Sequence, residues 1–394
     1  SFFHLQETRA MPSPVPILEI KILRLLTVLI LLLCIWITVK NHYEIPLPSS
    51  SETVDITFRL PSWDRDILSQ FSSISLDLGP MLTQKPEEIP ANGLEYDFYR
   101  NSCPRAEHLI HNSVRTMFRK KTSIAAALLR LVFHDCFVEG CDASILLDPA
   151  EGVTSEKESP PNSEIRGFPI IEEIKTQIEK VCPGIVSCAD IVVLAAREGV
   201  VLSGGPFYPV LTGRRDSKQG FRDIATKELP SPEADLNETL AAFASKGFNE
   251  RETVAILGAH SVGVVHCKFV EDRLNNFSGT NKADPSMDGE FVREMRSRCK
   301  NSSGDGSVAM AKEGVGVDFG GVYYKSLMKR RGILVSDQQL MAQESSRNWV
   351  RLYASTLSRF NRDFAFAMIK LSSIRLLTAS QGQIRHNCSK IAYS

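Results

Sequence analysis

With 394 residues the chain is too long for one average domain and too short for three. Its 43% hydrophobic and 23% charged content is ordinary for a globular protein. The 46 basic residues are matched by 46 acidic ones, so the balance gives no sign of a nucleic-acid or polyanion partner and no long-range steering of charged substrates.

Residues 1–21 read as a short tail that begins with Ser1 rather than Met, so the start of the chain stays open. From Ile22 to Val39 runs an apolar stretch interrupted by Arg24 and two threonines. As a helix it would span about 27 Å, close to the roughly 30 Å core of a bilayer. No cleavage site of the A-x-A type comes after it, so residues 22–40 are expected to be an uncleaved signal anchor, with a cleaved signal peptide as the alternative. Arg9, Lys21 and Arg24 precede or open the run and only Lys40 stands close behind it, an asymmetry that puts the N-terminus in the cytosol. Either reading exports the rest of the chain. Residues 41–91 carry Pro46, Pro48, Pro61, Pro80, Pro86 and Pro90 among serine clusters and read as a linker or stalk, with at most one short helix near Asp64–Leu76.

From residue 92 the pattern turns helical. Apolar residues recur at helical spacing over Ala106–Phe118, Ile124–Phe137, Phe168–Val181, Cys188–Val201, Leu236–Ser245, Glu250–His260, Phe291–Arg298, Asn348–Phe360 and Arg362–Leu371. Strand-like alternation is scarce and no repeat is visible. Residues 92–394 are therefore expected to form a mostly α domain with long functional loops. Sequons stand at Asn237, Asn276 and Asn301, all beyond the apolar run; Asn387 is a weaker match because Cys388 should be bridged.

Of nine cysteines, Cys34 lies alone in the apolar run, which leaves an even set between Cys103 and Cys388. In an oxidising compartment that set reads as four disulfides, for which 105 pairings exist. A structural zinc site competes, but paired CxxC spacing is missing.

The chemistry concentrates in Arg130-Leu-Val-Phe133-His134-Asp135-Cys136. On a helix, Arg130 and His134 share one face, with Phe133 beside them. The set offers a base, a fixed cation and an apolar wall, which suits breaking a peroxide O–O bond. His134 could carry a proton between the two oxygens, Arg130 could hold charge on the departing one, and Phe133 could keep bulky reductants away. A surface hydrogen bond fits the same spacing. Asp135, Asp142 and Ser144 lie close together in the chain with a glycine between them, a pattern of oxygen donors suited to a hard cation, or to a polar turn. His260, in Gly258-Ala-His260-Ser-Val-Gly263, is a candidate ligand for a flat macrocycle that small neighbours would let approach; a helix-terminal histidine before a glycine cap fits as well.

The segment from Leu128 to Asp148 resembles the distal haem segment of class III secretory plant peroxidases. Further motifs agree in order from about Gly93 to Ser394: Phe98-Tyr-Arg-Asn-Ser-Cys103-Pro, Val186-Ser-Cys188-Ala-Asp190, Gly213-Arg-Arg-Asp216-Ser, the His260 segment and Ser336-Asp337-Gln. The resemblance implies a helical peroxidase domain with haem b between distal and proximal halves. It implies His260 as the axial iron ligand, Asp337 as the acceptor that orients it, and Asn162 as the partner of His134. It also implies distal calcium held by Asp135, Val138, Gly140, Asp142 and Ser144, with Glu156 linking that loop to Asn162. Pro230, in Leu229-Pro230-Ser-Pro232, matches the residue whose carbonyl meets a phenolic donor. Asp190 and Arg214 match a buried structural pair. The implied disulfides are Cys103–Cys182, Cys136–Cys141, Cys188–Cys388 and Cys267–Cys299; in the chain-entropy view the third could stabilise by up to ~5 kcal/mol.

The pattern fails in one place. Where the family shows Asp-x-x-Thr-Pro-x-x-Phe-Asp-Asn before a Tyr-Tyr pair, this chain has Lys312 for the first Asp, Val315 for the Thr and Gly320 for the second Asp, ahead of Tyr323-Tyr324. Of the second calcium site only Ser261 and a shifted Asp318 remain, so one calcium is expected rather than two. The function implied is oxidation of small phenolic donors by hydrogen peroxide in one-electron steps, by a monomer in the extracellular space or cell wall, or membrane-anchored. A tethered haem- or wall-binding module with little turnover is the alternative.

Overall fold

A computed structural model describes residues 93–300, 306–310 and 319–392. The apolar run at 22–39, Cys34, the stretch 41–91, the Asn301 sequon, Lys312, Val315 and Asp318 lie outside these residues. Among the described residues no helix is long and apolar enough to cross a membrane.

The architecture is mostly helical. Three helices build the distal half: α1 (Ala106–Lys120), α2 (Ile124–Phe137) and α4 (Cys188–Leu202), with α3 (Phe168–Glu179) packed alongside. Every residue of α4 from Cys188 to Val200 is buried, so this helix is covered on all sides and forms the centre of the layer. Ser187 caps it by accepting from the Asp190 backbone N–H at 3.1 Å. α2 crosses α4 closely because Gly199 faces it: a Cβ there would stand 3.2 Å from the Ala125 Cα.

After the short α5 (Arg222–Glu228), α6 (Leu236–Ser245) and α7 (Glu250–Leu257) each start with a reciprocal capping box, Asp235 with Glu238 and Asn249 with Glu252. Helices α10 (Gly321–Met328), α12 (Glu344–Ser355) and α13 (Leu357–Leu371) pack with α7 around Tyr324, Tyr353, Phe360 and Phe364, all fully buried. Between these halves, α8 (Glu271–Asn275), α9 (Gly289–Lys300) and a two-stranded antiparallel sheet, β1 (Val264–His266) with β2 (Ser307–Ala309), enclose a separate small core of Leu274, Met287, Phe291 and Val308. The short α11 (Val335–Gln339) carries Asp337.

Four disulfides join Cys103 to Cys182, Cys136 to Cys141, Cys188 to Cys388 and Cys267 to Cys299. The third spans 200 residues and pins the C-terminal tail to the start of α4.

Helix ends shift by a few residues from the sequence expectation in several places, and two of these shifts matter. The helix expected over Glu250–His260 ends at Leu257, and His260 sits in the next turn, a 3₁₀ segment at Gly258–Ser261. The helix expected over Asn348–Phe360 is broken at Thr356, whose φ of −135° and ψ of 86° separate α12 from α13. Periodicity persists across that break because both helices turn apolar faces to the same core. The short α5, α8, α10 and α11 and the β1–β2 ladder carry too little periodic signal to be read from sequence.

Candidate active site

α2 places Arg130 and His134 one turn apart on one face. Arg130 Nε donates to His134 Nε2 at 3.3 Å. His134 Nδ1 meets Asn162 Oδ1 at 2.7 Å, and Asn162 Nδ2 donates to the Glu156 carbonyl at 2.9 Å. Both contacts of the ring fit one tautomer, with the proton on Nδ1 and the lone pair on Nε2. Burial, with the Arg130 charge acting in the same direction, lowers the His134 pKa to about 3, so the ring is neutral near pH 7. Arg130 is exposed, and its Nη2 donates to the Pro161 carbonyl at 3.1 Å. Phe133 stacks on Phe243 with centroids 5.7 Å apart and lies against Phe137 and His134, so the apolar wall is held by the core.

The end of α2 and the loop after it hold a second feature. Asp135, Asp142, Ser144 and Glu156 are buried, and Asp135 Oδ1, Ser144 Oγ and Glu156 Oε2 have no hydrogen-bond partner. Burial raises all three carboxyls, with Asp142 and Glu156 repelling Asp135: Asp142 to about 6, Glu156 to about 7, and Asp135 well above its usual range. Unpartnered buried oxygens of like charge call for a cation. Among the described residues no group of three or more His, Cys, Asp or Glu side chains closes into a metal cluster. A cation here would therefore rest on two carboxylates, the Ser144 hydroxyl and backbone carbonyls, with Glu156 further out, which suits calcium rather than a transition metal. Val138 is buried at the end of α2, and Gly140 turns the loop with φ +120°. A Cβ on Gly140 would strike the Arg375 carbonyl at 2.0 Å.

On the proximal side the His260 ring, about one-third open, has Nδ1 2.8 Å from Asp337 Oδ1. Burial disfavours its charged form, but attraction to buried Asp337 and the hydrogen bond the ring donates to it outweigh this and raise the pKa. Tyr323 donates to the same Asp337 oxygen at 2.8 Å. That leaves His260 Nε2 as the ring nitrogen able to take an iron, and the carboxylate behind it would make the ring a stronger donor. The small size of Gly258 has a different cause from the one expected from sequence. A Cβ there would stand 2.4 Å from the Phe360 ring and 2.6 Å from the Tyr324 hydroxyl, so the glycine serves protein packing, not macrocycle approach.

Ser261 is engaged twice: its hydroxyl donates to the Gly258 carbonyl and accepts from the Gly320 N–H at 2.9 Å. Gly320 has φ +91°, and a Cβ on it would meet the Phe360 ring at 2.0 Å. Ser261 and Gly320 thus satisfy each other within the chain.

A family model described as peroxidase matches residues 110–356. The chain belongs to the plant peroxidase superfamily. It is 45% identical to Putative Peroxidase 48 of Arabidopsis thaliana, over 77% of this chain and 84% of that protein. Peroxidase 28 of Arabidopsis thaliana is 43% identical over 75% of this chain and 92% of its own length. Peroxidase 70 of Zea mays is 41% identical over 82% of this chain and 99% of its own length. The protein is a peroxidase, and such enzymes act on hydrogen peroxide and a reducing donor.

Pro230 lies half-buried in the loop before α6, and that loop is tied to α11 by the Ser336 N–H donating to the Pro232 carbonyl at 3.0 Å. Asp190 and Arg214 form a fully buried pair at 2.8 Å, to which Tyr99 adds a hydroxyl at 2.7 Å. Asn237 and Asn276 are exposed. Two residues near the site escape a sequence reading. Tyr323, which shares Asp337 with His260, is legible only as half of a Tyr-Tyr marker. Arg385 is buried, donates to the Ala143 carbonyl at 2.6 Å and opposes the burial-driven rise of the Asp135 and Asp142 carboxyls, yet it lies 242 residues further along the chain than Ala143. No local pattern signals a partner brought in by the Cys388 disulfide.

Proposed function

We propose that this peroxidase holds haem b on His260 and uses hydrogen peroxide to oxidise small phenolic donors, one electron at a time. The observation that carries the reading is the pair of oriented imidazoles: His134 neutral with its unprotonated Nε2 facing Arg130, and His260 turned by Asp337. When bound, haem supplies the redox chemistry of O–O cleavage. His134 Nε2 takes the proton from one peroxide oxygen and returns it to the other, which leaves as water. Asn162 holds the ring in the tautomer this requires. Arg130 offers N–H donors to the charge that develops on the departing oxygen. The Pro230 carbonyl would accept a phenolic O–H at the mouth of the cleft, and Phe133 bounds what can enter.

Calcium at the distal loop would satisfy the orphaned oxygens and brace α2 through Asp135. Four disulfides support folding in an oxidising compartment, and with the apolar run at 22–39 we place the domain in the secretory pathway or outside the cell. The test is an absorption spectrum of the purified protein before and after one equivalent of peroxide, then turnover with guaiacol. A haem spectrum that does not respond to peroxide would sink the enzymatic reading in favour of a haem-binding module.

A further inference from the structure

α12 presents Trp349 and Tyr353 four residues apart on one face, and Tyr353 packs against Tyr324, the second of two adjacent tyrosines near the start of α10. Centroid steps run 6.2 Å from Trp349 to Tyr353, 5.2 Å to Tyr324, 4.9 Å to Tyr323 and 6.4 Å to His260. Each step is within the range of direct aromatic contact. Trp349 is half-buried, whereas Tyr353, Tyr324 and Tyr323 are buried. The series therefore runs unbroken from solvent to the proximal histidine. Tryptophan and tyrosine are the protein side chains that give up one electron most readily.

We propose that Trp349, Tyr353, Tyr324 and Tyr323 form a one-electron relay, so that electron-rich phenolic donors too large to pass Phe133 are oxidised at Trp349. The proposal rests on the peroxidase reading, which supplies the oxidant: reduction of one peroxide to two waters leaves the holoprotein two electrons short.

The proton acceptors along the series suit this use. A phenol loses its electron easily only if its proton can leave with it. The Tyr353 hydroxyl donates to Asp363 Oδ2 at 2.8 Å and that of Tyr323 to Asp337 Oδ1 at 2.8 Å, so each has a carboxylate to receive the proton and hand it back on reduction. Tyr324 donates instead to the Val254 carbonyl at 2.7 Å, which cannot take a proton. Its ring serves as a bridge between the two phenols rather than a resting place for the radical. The Arg251 guanidinium sits over the Trp349 ring at 5.3 Å and disfavours a positive charge there, so oxidised Trp349 releases its indole proton to solvent and rests as a neutral radical. Asp363 pairs with Arg251 at 2.6 Å and moderates that charge. A donor phenol then restores Trp349, giving up one electron and one proton and becoming a phenoxyl radical. Two such events close the cycle: one peroxide and two phenols yield two waters and two phenoxyl radicals.

The experiment treats the holoprotein with one equivalent of hydrogen peroxide without donor, in the presence of a nitroso spin trap, and maps the adduct by peptide mass spectrometry. The adduct is expected on Trp349. It should be lost in Tyr353→Phe while the optical response of the haem to peroxide is unchanged. In Trp349→Phe, oxidation of a phenol tethered to a large polymer should fall while free guaiacol turnover holds. A wild-type adduct confined to other residues, or Trp349 labelling that survives Tyr353→Phe, would overturn the relay. Absence of any optical response to peroxide in the wild type would overturn the peroxidase reading, and the relay with it.

Discussion

Two loops flank the proposed haem cleft, and their polar atoms are treated in opposite ways. At the end of α2 and beyond it, Asp135, Ser144 and Glu156 each bury an oxygen that nothing in the protein satisfies. After His260, the Ser261 hydroxyl both donates and accepts, its acceptor role being filled by the Gly320 N–H. A buried oxygen without a partner costs about 1–3 kcal/mol, so three of them in one cluster favour a ligand from outside the chain. A hydroxyl already bonded twice has little left for a cation. The two loops thus differ in whether the polar atom is completed from within the chain, here by the backbone N–H of Gly320 at φ +91°.

The comparison can be tested most severely at the histidines. In His260→Ala the normal haem ligation should be lost outright; an unchanged haem spectrum in that variant would mean that the iron ligand lies elsewhere. His134→Ala should retain haem but react with peroxide ~10²–10⁴-fold more slowly, the usual loss for a general acid/base. A wild-type rate in stopped-flow measurement would remove His134 from the reaction.

Chelation sharpens the contrast between the loops. The fold raises Asp142 to about 6 and Glu156 to about 7, above their ordinary values of 3.8 and 4.5, so without a cation it favours their protonated forms. That contribution is present below about pH 4 and is lost as pH rises through 6 to 7, on the order of 3 kcal/mol for each carboxyl. Bound calcium needs the ionised forms and reverses the sign. The drop in melting temperature caused by chelator should therefore grow from pH 5 to pH 8, and a drop that shrinks over this range would refute the distal assignment. Metal analysis of the holoprotein should find one tightly held calcium per chain; two would show that the proximal side binds despite Ser261.

The smallest effect belongs to Gly320→Asp. Restoring an acidic residue should not restore a site, because the backbone conformation and the Phe360 ring both reject a side chain. We expect a destabilisation of about 1–3 kcal/mol, read by denaturant titration, with no gain in calcium. A second calcium bound by this variant would break the comparison.

Much of this is legible from local order. The i, i+4 pair Arg130/His134, the run of apolar residues through α4 and the capping residues Asp235 and Asn249 act over a few residues, so sequence alone places them on helices. It also places Asp135 at the end of α2 with Asp142 and Ser144 close behind it in the chain. Where sequence misleads, distant parts of the chain meet. Gly258 looks like room for a ligand, but only the packed structure brings Phe360 and Tyr324 against it. Thr356 breaks a helix whose apolar spacing continues across the break, since both pieces face one core. Arg385, Arg375 and the aromatic series from Trp349 to His260 depend on contacts between residues far apart in the chain. Local propensity and side-chain type are written residue by residue; who stands beside whom is settled by the burial of whole helix faces, and that is a property of the folded chain alone.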